Sequence, residues 1–128
     1  MAYLKPPLFV RRVFNPIAMR FGMGGSKVLG IRRRKSGQMQ TLPVIPVDYE
    51  GGRYVVSTRG ESDWVRNLRH AGSCELDGEP FSAHEVPLEE REPIIEAYRA
   101  KAGRTVKTYW EQLPDPSDHP VFRVERGA

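Results

Sequence analysis

Four consecutive cations, Arg32, Arg33, Arg34 and Lys35, run into Ser36 and Gly37. A turn at Ser36-Gly37 gathers those side chains, the Ser36 hydroxyl and free backbone N–H groups around one point, which is chemistry for holding a phosphate or a carboxylate. A second candidate is the stretch Arg59-Gly60-Glu61-Ser62-Asp63, where β-forming residues give way to helical spacing. A helix starting there points unpaired N–H groups back at the strand end, offering an anion or a carbonyl oxygen a second seat. One turn in, Asn67 carries an amide able to hydrogen-bond both edges of a planar ligand. Trp64 and Leu68, four apart, read as core contacts.

Other chemistries find no such footing. His70, His84 and His119 lack ligand spacing, and no C-x-x-C or H-x-x-x-H pair occurs. Neither G-x-G-x-x-G, nor a P-loop, nor the G-x-S-x-G of a hydrolase is present. Glu89, Glu90 and Glu92 are neighbouring carboxylates that suit the positive end of an exposed helix rather than acid–base work. An enzyme of this composition takes its hard chemistry from a bound organic cofactor.

Charge is segregated along the chain. Residues 1–47 hold nine Lys or Arg and no acid, whereas residues 48–128 hold eleven basic and sixteen acidic residues. The first third, at +9, calls for an anionic partner: a phosphate-bearing cofactor, a lipid surface or a nucleic acid. Aromatic residues interleaved with the Arg32–Lys35 cluster would favour nucleic acid, and none is there. The single cysteine, Cys74, excludes an internal disulfide and suits a reducing compartment, as a buried free thiol. With no apolar run near the length of a membrane span, a cytoplasmic protein of 128 residues is expected.

The elements that must position these groups follow from periodicity. Residues 1–25 form an amphipathic helical arm interrupted at Asn15-Pro16, with Phe9, Val13, Phe14, Ile17 and Phe21 on one face and Lys5, Arg11, Arg12 and Arg20 available to the other. This arm either lies over the core or dips into an anionic bilayer through residues 1–21. Strands are expected at 27–33, 41–49 and 53–58, with turns at Ser36-Gly37 and Gly51-Gly52, and Pro43 and Pro46 mark the second as an edge or a bulged strand. A helix capped by Glu61 or Ser62 ends near Ala71-Gly72. A hairpin with a type I′ turn at Asp77-Gly78 joins 73–76 to 79–86. A surface helix over 87–101, a short one over 105–113, a proline-rich loop and a last strand at 121–125 complete the 26–128 domain. About six antiparallel strands with peripheral helices and no βαβ alternation describe an α+β chain, mainly β, built as a small closed barrel.

The run Arg34-Lys35-Ser36-Gly37-Gln38, then Thr41-Leu42-Pro43-Val44, Gly51-Gly52-Arg53-Tyr54-Val55-Val56, Arg59-Gly60 and Asp63-Trp64-Val65-Arg66-Asn67-Leu68-Arg69 resembles the deazaflavin-dependent nitroreductase family of actinobacteria, over about residues 28 to 126. The resemblance implies a split β-barrel shared with FMN-binding proteins, and the reduced deazaflavin coenzyme F420 as hydride donor. It implies that Arg34, Lys35, Ser36 and Gly37 hold the coenzyme's phosphate and acidic tail, that Thr41 and Pro43 lie along its linker and ring, and that Thr58, Arg59, Gly60, Trp64 and Asn67 lie beside it at the corner. Two departures from the family pattern stand out. Gly60 runs directly to Trp64 without a longer insert, and the tyrosine the family places over its substrate matches either Tyr98 or Tyr109.

The expected activity is therefore a quinone- or nitro-reductase type of oxidoreductase. A hydride donor of this kind needs one ring face open and an electron-poor acceptor, a quinone, nitroaromatic or enone, within about 3–3.5 Å. The acceptor's proton is expected from Ser57, Tyr109 or water. An FMN-binding or non-catalytic flavin or deazaflavin carrier is the alternative, a basic membrane- or nucleic-acid-binding adaptor the next. Either a monomer or a homodimer is compatible with these residues.

Overall fold

A computed structural model describes residues 25–126 of the chain. The expected arm of residues 1–25 falls outside this range but for Gly25. Seven strands form one antiparallel sheet: β1 (Lys27–Arg32), β2 (Met39–Val44), β3 (Val47–Tyr49), β4 (Gly52–Val56), β5 (Ser73–Leu76), β6 (Glu79–Glu85) and β7 (Val121–Arg126), in the order β2-β1-β5-β6-β7-β4-β3. Among the described residues three α-helices accompany it: α1 (Asp63–Ala71), α2 (Arg91–Ala102) and α3 (Lys107–Gln112). No helix among the described residues is long and apolar enough to cross a membrane.

Strand order explains the shape. β2 and β3 are the two edges of the sheet, yet only Ile45 and Pro46 separate them in the chain. A flat seven-stranded sheet would hold its edges about 29 Å apart, whereas two linking residues reach about 10 Å. The sheet must therefore curl until its edges meet, which yields a barrel split along the seam at Ile45-Pro46. Here the strand expected over 41–49 is corrected: it is two strands on opposite edges. Pro43 and Pro46 lack the N–H that a continuous ladder would need, and so they belong at a seam. Among the described residues the sheet thus has seven strands, the extra one coming from this division, and its curled form is the expected split barrel.

The turns follow local chemistry. Asp77 and Gly78 both take positive φ (50° and 85°), as a type I′ hairpin requires. Asp77 Oδ1 also accepts from Val28 N at 2.8 Å, tying this turn to β1. The turn between β3 and β4 centres on Glu50-Gly51 (φ 46° and 82°), one residue earlier than expected, and Gly52 opens β4. The surface helix begins with a 3₁₀ turn at Leu88–Glu90 before α2 proper.

Alternation along β4 and β7 divides the core in two. Val55, Phe122 and Val124 face a cluster with Leu29, Ile31, Leu76, Phe81 and the α1 residues Val65 and Leu68. Tyr54, Val56 and Val121 face the other way, onto Ile94, Ile95 and Tyr98 of α2 and Trp110 of α3. Helix α1 thus fills the concave side of the curled sheet and α2 with α3 cover the outside, which leaves the strand-to-helix corner before α1 between the two layers. Cys74 is buried, and burial pushes its thiol up to about 11.

Candidate functional site

The basic turn closes on itself before it meets anything else. Arg33 N donates to Gln38 O (2.8 Å), Gly37 N to Arg33 O (3.1 Å), Gln38 N to Ser36 Oγ (3.2 Å) and Arg32 Nη1 to Gly37 O (2.5 Å). Gly37 makes this possible with φ 77°, a conformation costly for a side chain. The Ser36 oxygen and the Arg32 guanidinium are thereby used in the turn. At the tip, Lys35 N and Ser36 N have no acceptor among the described residues, and the exposed Arg33 and Lys35 have no carboxylate partner there. Successive unpaired N–H groups flanked by cations are a donor set suited to an anion, a candidate anion seat.

Arg34 points inward. Its N and Nη1 donate to Asn67 Oδ1 (3.1 and 2.7 Å), and its Nη2 lies 3.7 Å from Asp63 Oδ1. Asn67 is buried, and its Nδ2 donates to Gln40 Oε1 at 2.8 Å. The turn, as expected the tip of the β1–β2 hairpin, therefore lies along α1. Asp63 and Asn67 are one helical turn apart, about 6 Å, so the anion seat and the corner are neighbours.

At the corner, Gly60 takes φ 83° and its carbonyl accepts from Ser57 Oγ (2.7 Å) and Ser62 N (2.8 Å). Ser57 is fully buried, its N donates to Pro120 O (2.9 Å), and its hydroxyl proton is committed to Gly60. The structure thus places Ser57 in the scaffold of the corner, buried and bonded to Gly60. Ser62, at the start of α1, makes no capping bond, and its buried Oγ has no partner among the described residues. Asp63 in the first turn and Arg69 and His70 in the last suit the helix dipole, and Gly72 ends the helix with φ 69°.

Two further anchors hold this corner, and residue spacing signalled neither of them. His119 is completely buried, stacked on Trp110 (centroids 4.0 Å, 12°), with Nδ1 2.8 Å from Ser57 O and Nε2 2.6 Å from Leu113 O. Glu61, also buried, receives Arg69 through Nη1 (2.8 Å) and Nη2 (3.0 Å), and Arg69 reaches Glu85 as well (2.7 and 2.9 Å). Arg91 joins Glu85 at 3.2 Å. The Arg69 hydrogen bonds hold the Glu61 carboxyl below its usual range, and they raise Arg69.

Arg59 and Thr58 are half-buried on the other side of the corner. Arg59 Nη2 donates to the Tyr109 hydroxyl (2.5 Å) with its guanidinium 4.8 Å from that ring's centre. A hydroxyl that accepts from Arg59 keeps its own proton free to donate elsewhere. Tyr98, in contrast, is buried against α2's side of the sheet, and burial pushes its phenol up to about 12. Of the two tyrosines, Tyr109 is the one joined to the corner.

The other expected positions divide. Trp64 is half-buried with its ring 6.2 Å from Phe122, on the α1 side. Gln40, Leu42 and Val44 of β2 face α1 as well, through Asn67 and the inner cluster. Thr41 and Pro43 alternate with them and take the opposite face of β2, with Met39. Two open grooves lie away from the corner. One, of about 300 Å³, is lined by Arg53, Arg123 and Arg126, each already paired with a carboxylate. The other, of about 490 Å³, lies beside Arg99, Arg104 and Lys107, where cations suit the end of α2.

No protein-family model and no curated protein matches the chain. Solved structures do. The chain superposes over 96% of its length on 60% of a protein of unknown function from Agrobacterium tumefaciens (TM-score 0.65, 17% identity), so it spans less than two thirds of that protein. The fold is a split β-barrel. It is shared with an F420-H2-dependent reductase, matched over 80% of this chain and 95% of that one (TM-score 0.51, 24% identity). It is shared also with a 5-nitroimidazole antibiotic resistance protein of Bacteroides thetaiotaomicron, described as putative, over 91% and 82% (TM-score 0.59, 9% identity).

Proposed function

We propose that this protein is an oxidoreductase that binds the reduced deazaflavin coenzyme F420 and delivers its hydride to an electron-poor acceptor, a quinone, nitroaromatic or enone. The observation that carries the reading is the anion seat at Lys35-Ser36, flanked by Arg33 and Lys35 and fastened by Arg34 and Asn67 beside the Gly60 corner. Such a donor set fits an elongated ligand with a phosphate and an acidic tail. The motif run over residues 34–69 and the shared fold support it.

When bound, the coenzyme supplies the hydride. Arg33, Lys35 and the tip N–H groups hold its anionic tail, while Gly60 and Thr58 border its ring. Trp64 supports the corner from the α1 side, and Thr41 and Pro43 line the outer face of β2. Arg59, with no carboxylate partner among the described residues, faces negative charge at the corner. Tyr109 holds a proton at its phenolic oxygen for the reduced acceptor.

Titration of the protein with reduced and oxidised deazaflavin, FMN and FAD, followed by fluorescence, tests the assignment. Tight binding of the deazaflavin and oxidation of its reduced form by a quinone is expected. Preference for FMN or FAD would turn the reading to a flavin protein, an outcome with a structural counterpart, since a FAD-binding protein of Mesorhizobium loti shares the fold (TM-score 0.54, 13% identity). One matching structure is described as a domain-swapped dimer, and we extend the proposal to a homodimer, which sedimentation measures.

A further inference from the structure

Asn67 is only 3% exposed, yet each hydrogen bond its side chain makes among the described residues leaves its own helix. Its oxygen takes the Arg34 N–H and the Arg34 guanidinium, and its nitrogen donates to Gln40 of β2. The orientation of the amide is forced, because turning it over would set its NH₂ group against two Arg34 donors. Both lone pairs of Oδ1 are then used, so the acceptor edge that a planar ligand would need is closed. Arg34 is spent too, with Nη1 on Asn67 and Nη2 3.7 Å from Asp63. The donors left at the tip are Arg33, Lys35, the N–H groups of Lys35 and Ser36, and the Ser36 hydroxyl proton, which its acceptance from Gln38 N leaves free.

We propose that Asn67 is a positioning residue: with Gln40 it locks the basic turn onto α1, so that Arg33, Lys35 and the two tip N–H groups face one anion before it binds. A six-residue turn that must order on binding loses part of its affinity to that ordering, and a turn held beforehand does not. The ligand chemistry is a phosphate with neighbouring carboxylates, and the proposal rests on the coenzyme reading above.

The test uses Asn67→Leu, Gln40→Leu and the double variant. In the ligand-free protein, hydrogen exchange at the amides of Arg33, Gly37 and Gln38, none of which bonds to Asn67, should quicken by about tenfold or more, while exchange in β6 and β7 stays as in the wild type. Affinity for the intact coenzyme should fall about tenfold, and affinity for the deazaflavin riboside lacking phosphate and tail should stay within about twofold. The two single variants and the double should be alike, as for members of one node. Equal loss for both ligands, unchanged exchange in the turn, or additive variants would overturn the proposal. Should Asn67→Leu fail to fold, Gln40→Leu on the edge strand decides alone. If the wild type binds neither deazaflavin, the coenzyme reading falls, and exchange together with affinity for inorganic pyrophosphate still decides the role of Asn67.

Discussion

Arg33 and Lys35 are the exposed cations of the turn, whereas Arg34 between them is anchored inward. Replacing Arg33 and Lys35 together by alanine should weaken coenzyme binding by about tenfold to a hundredfold, or ~1.4–2.8 kcal/mol, and flatten its salt dependence. The melting temperature should not move, because neither side chain makes a hydrogen bond or ion pair among the described residues; thermal melts and a calorimetric titration series in salt check the two expectations. Tyr109→Phe acts on a different step. It removes the proton held at the phenolic oxygen and leaves the ring beside Arg59, so turnover with a quinone should drop about a hundredfold at unchanged coenzyme affinity. Equal turnover in single-turnover mixing experiments would make water the proton source.

Among the elements, the corner before α1 is held from two directions. His119 joins Ser57 O to Leu113 O in a dry setting against Trp110. His119→Phe keeps the stacking and removes the ring N–H, leaving a buried carbonyl short of its donor, so unfolding in urea should show a loss of about 1–3 kcal/mol. From the other side Arg69 ties α1 to Glu61 and, through Glu85, to β6 and Arg91. Arg69 holds Glu61 below its ordinary value of 4.5. A depressed carboxylate contributes stability that is complete above its unfolded value and is lost as pH falls through its lower folded value. Stability curves taken downward from about pH 6 should therefore steepen below that ordinary value in the wild type, and Glu61→Gln should flatten this acid limb.

For the whole molecule, the curled sheet has one open seam, at Ile45-Pro46, and a concave side filled by α1. Residues 1–21 lie outside the described residues, and their apolar stripe beside Lys5, Arg11, Arg12 and Arg20 is proposed to contact an anionic bilayer, where lipophilic quinones also partition. Removing residues 1–21 should abolish cosedimentation with phosphatidylglycerol vesicles and impair turnover with a lipophilic quinone. Coenzyme affinity and turnover with a small soluble quinone should persist. A truncated protein that unfolds would instead make the segment part of the core.

The elements themselves were legible in residue order because local rules decide them. Asp77-Gly78 specifies its own turn, the switch from period two to helical spacing marks the corner at Gly60, and Pro43 with Pro46 announces a strand that cannot sit inside a sheet. The cationic turn was equally plain, four like charges before Ser36-Gly37. Which of those charges remains free was not legible, since it depends on Asn67, thirty-three positions beyond Arg34, and on Gln40. The same holds for Ser57, a plausible proton donor by type, whose hydroxyl the fold turns to the Gly60 carbonyl. Hydrogen-bond partners of this kind are set by long-range packing, where a buried polar group must find whatever donor or acceptor the fold brings to it, and residue order alone does not name that partner. Only the tertiary structure, by curling two edges of a sheet together across Ile45-Pro46 and packing α1 against it, decided that the basic turn and the corner lie side by side along α1.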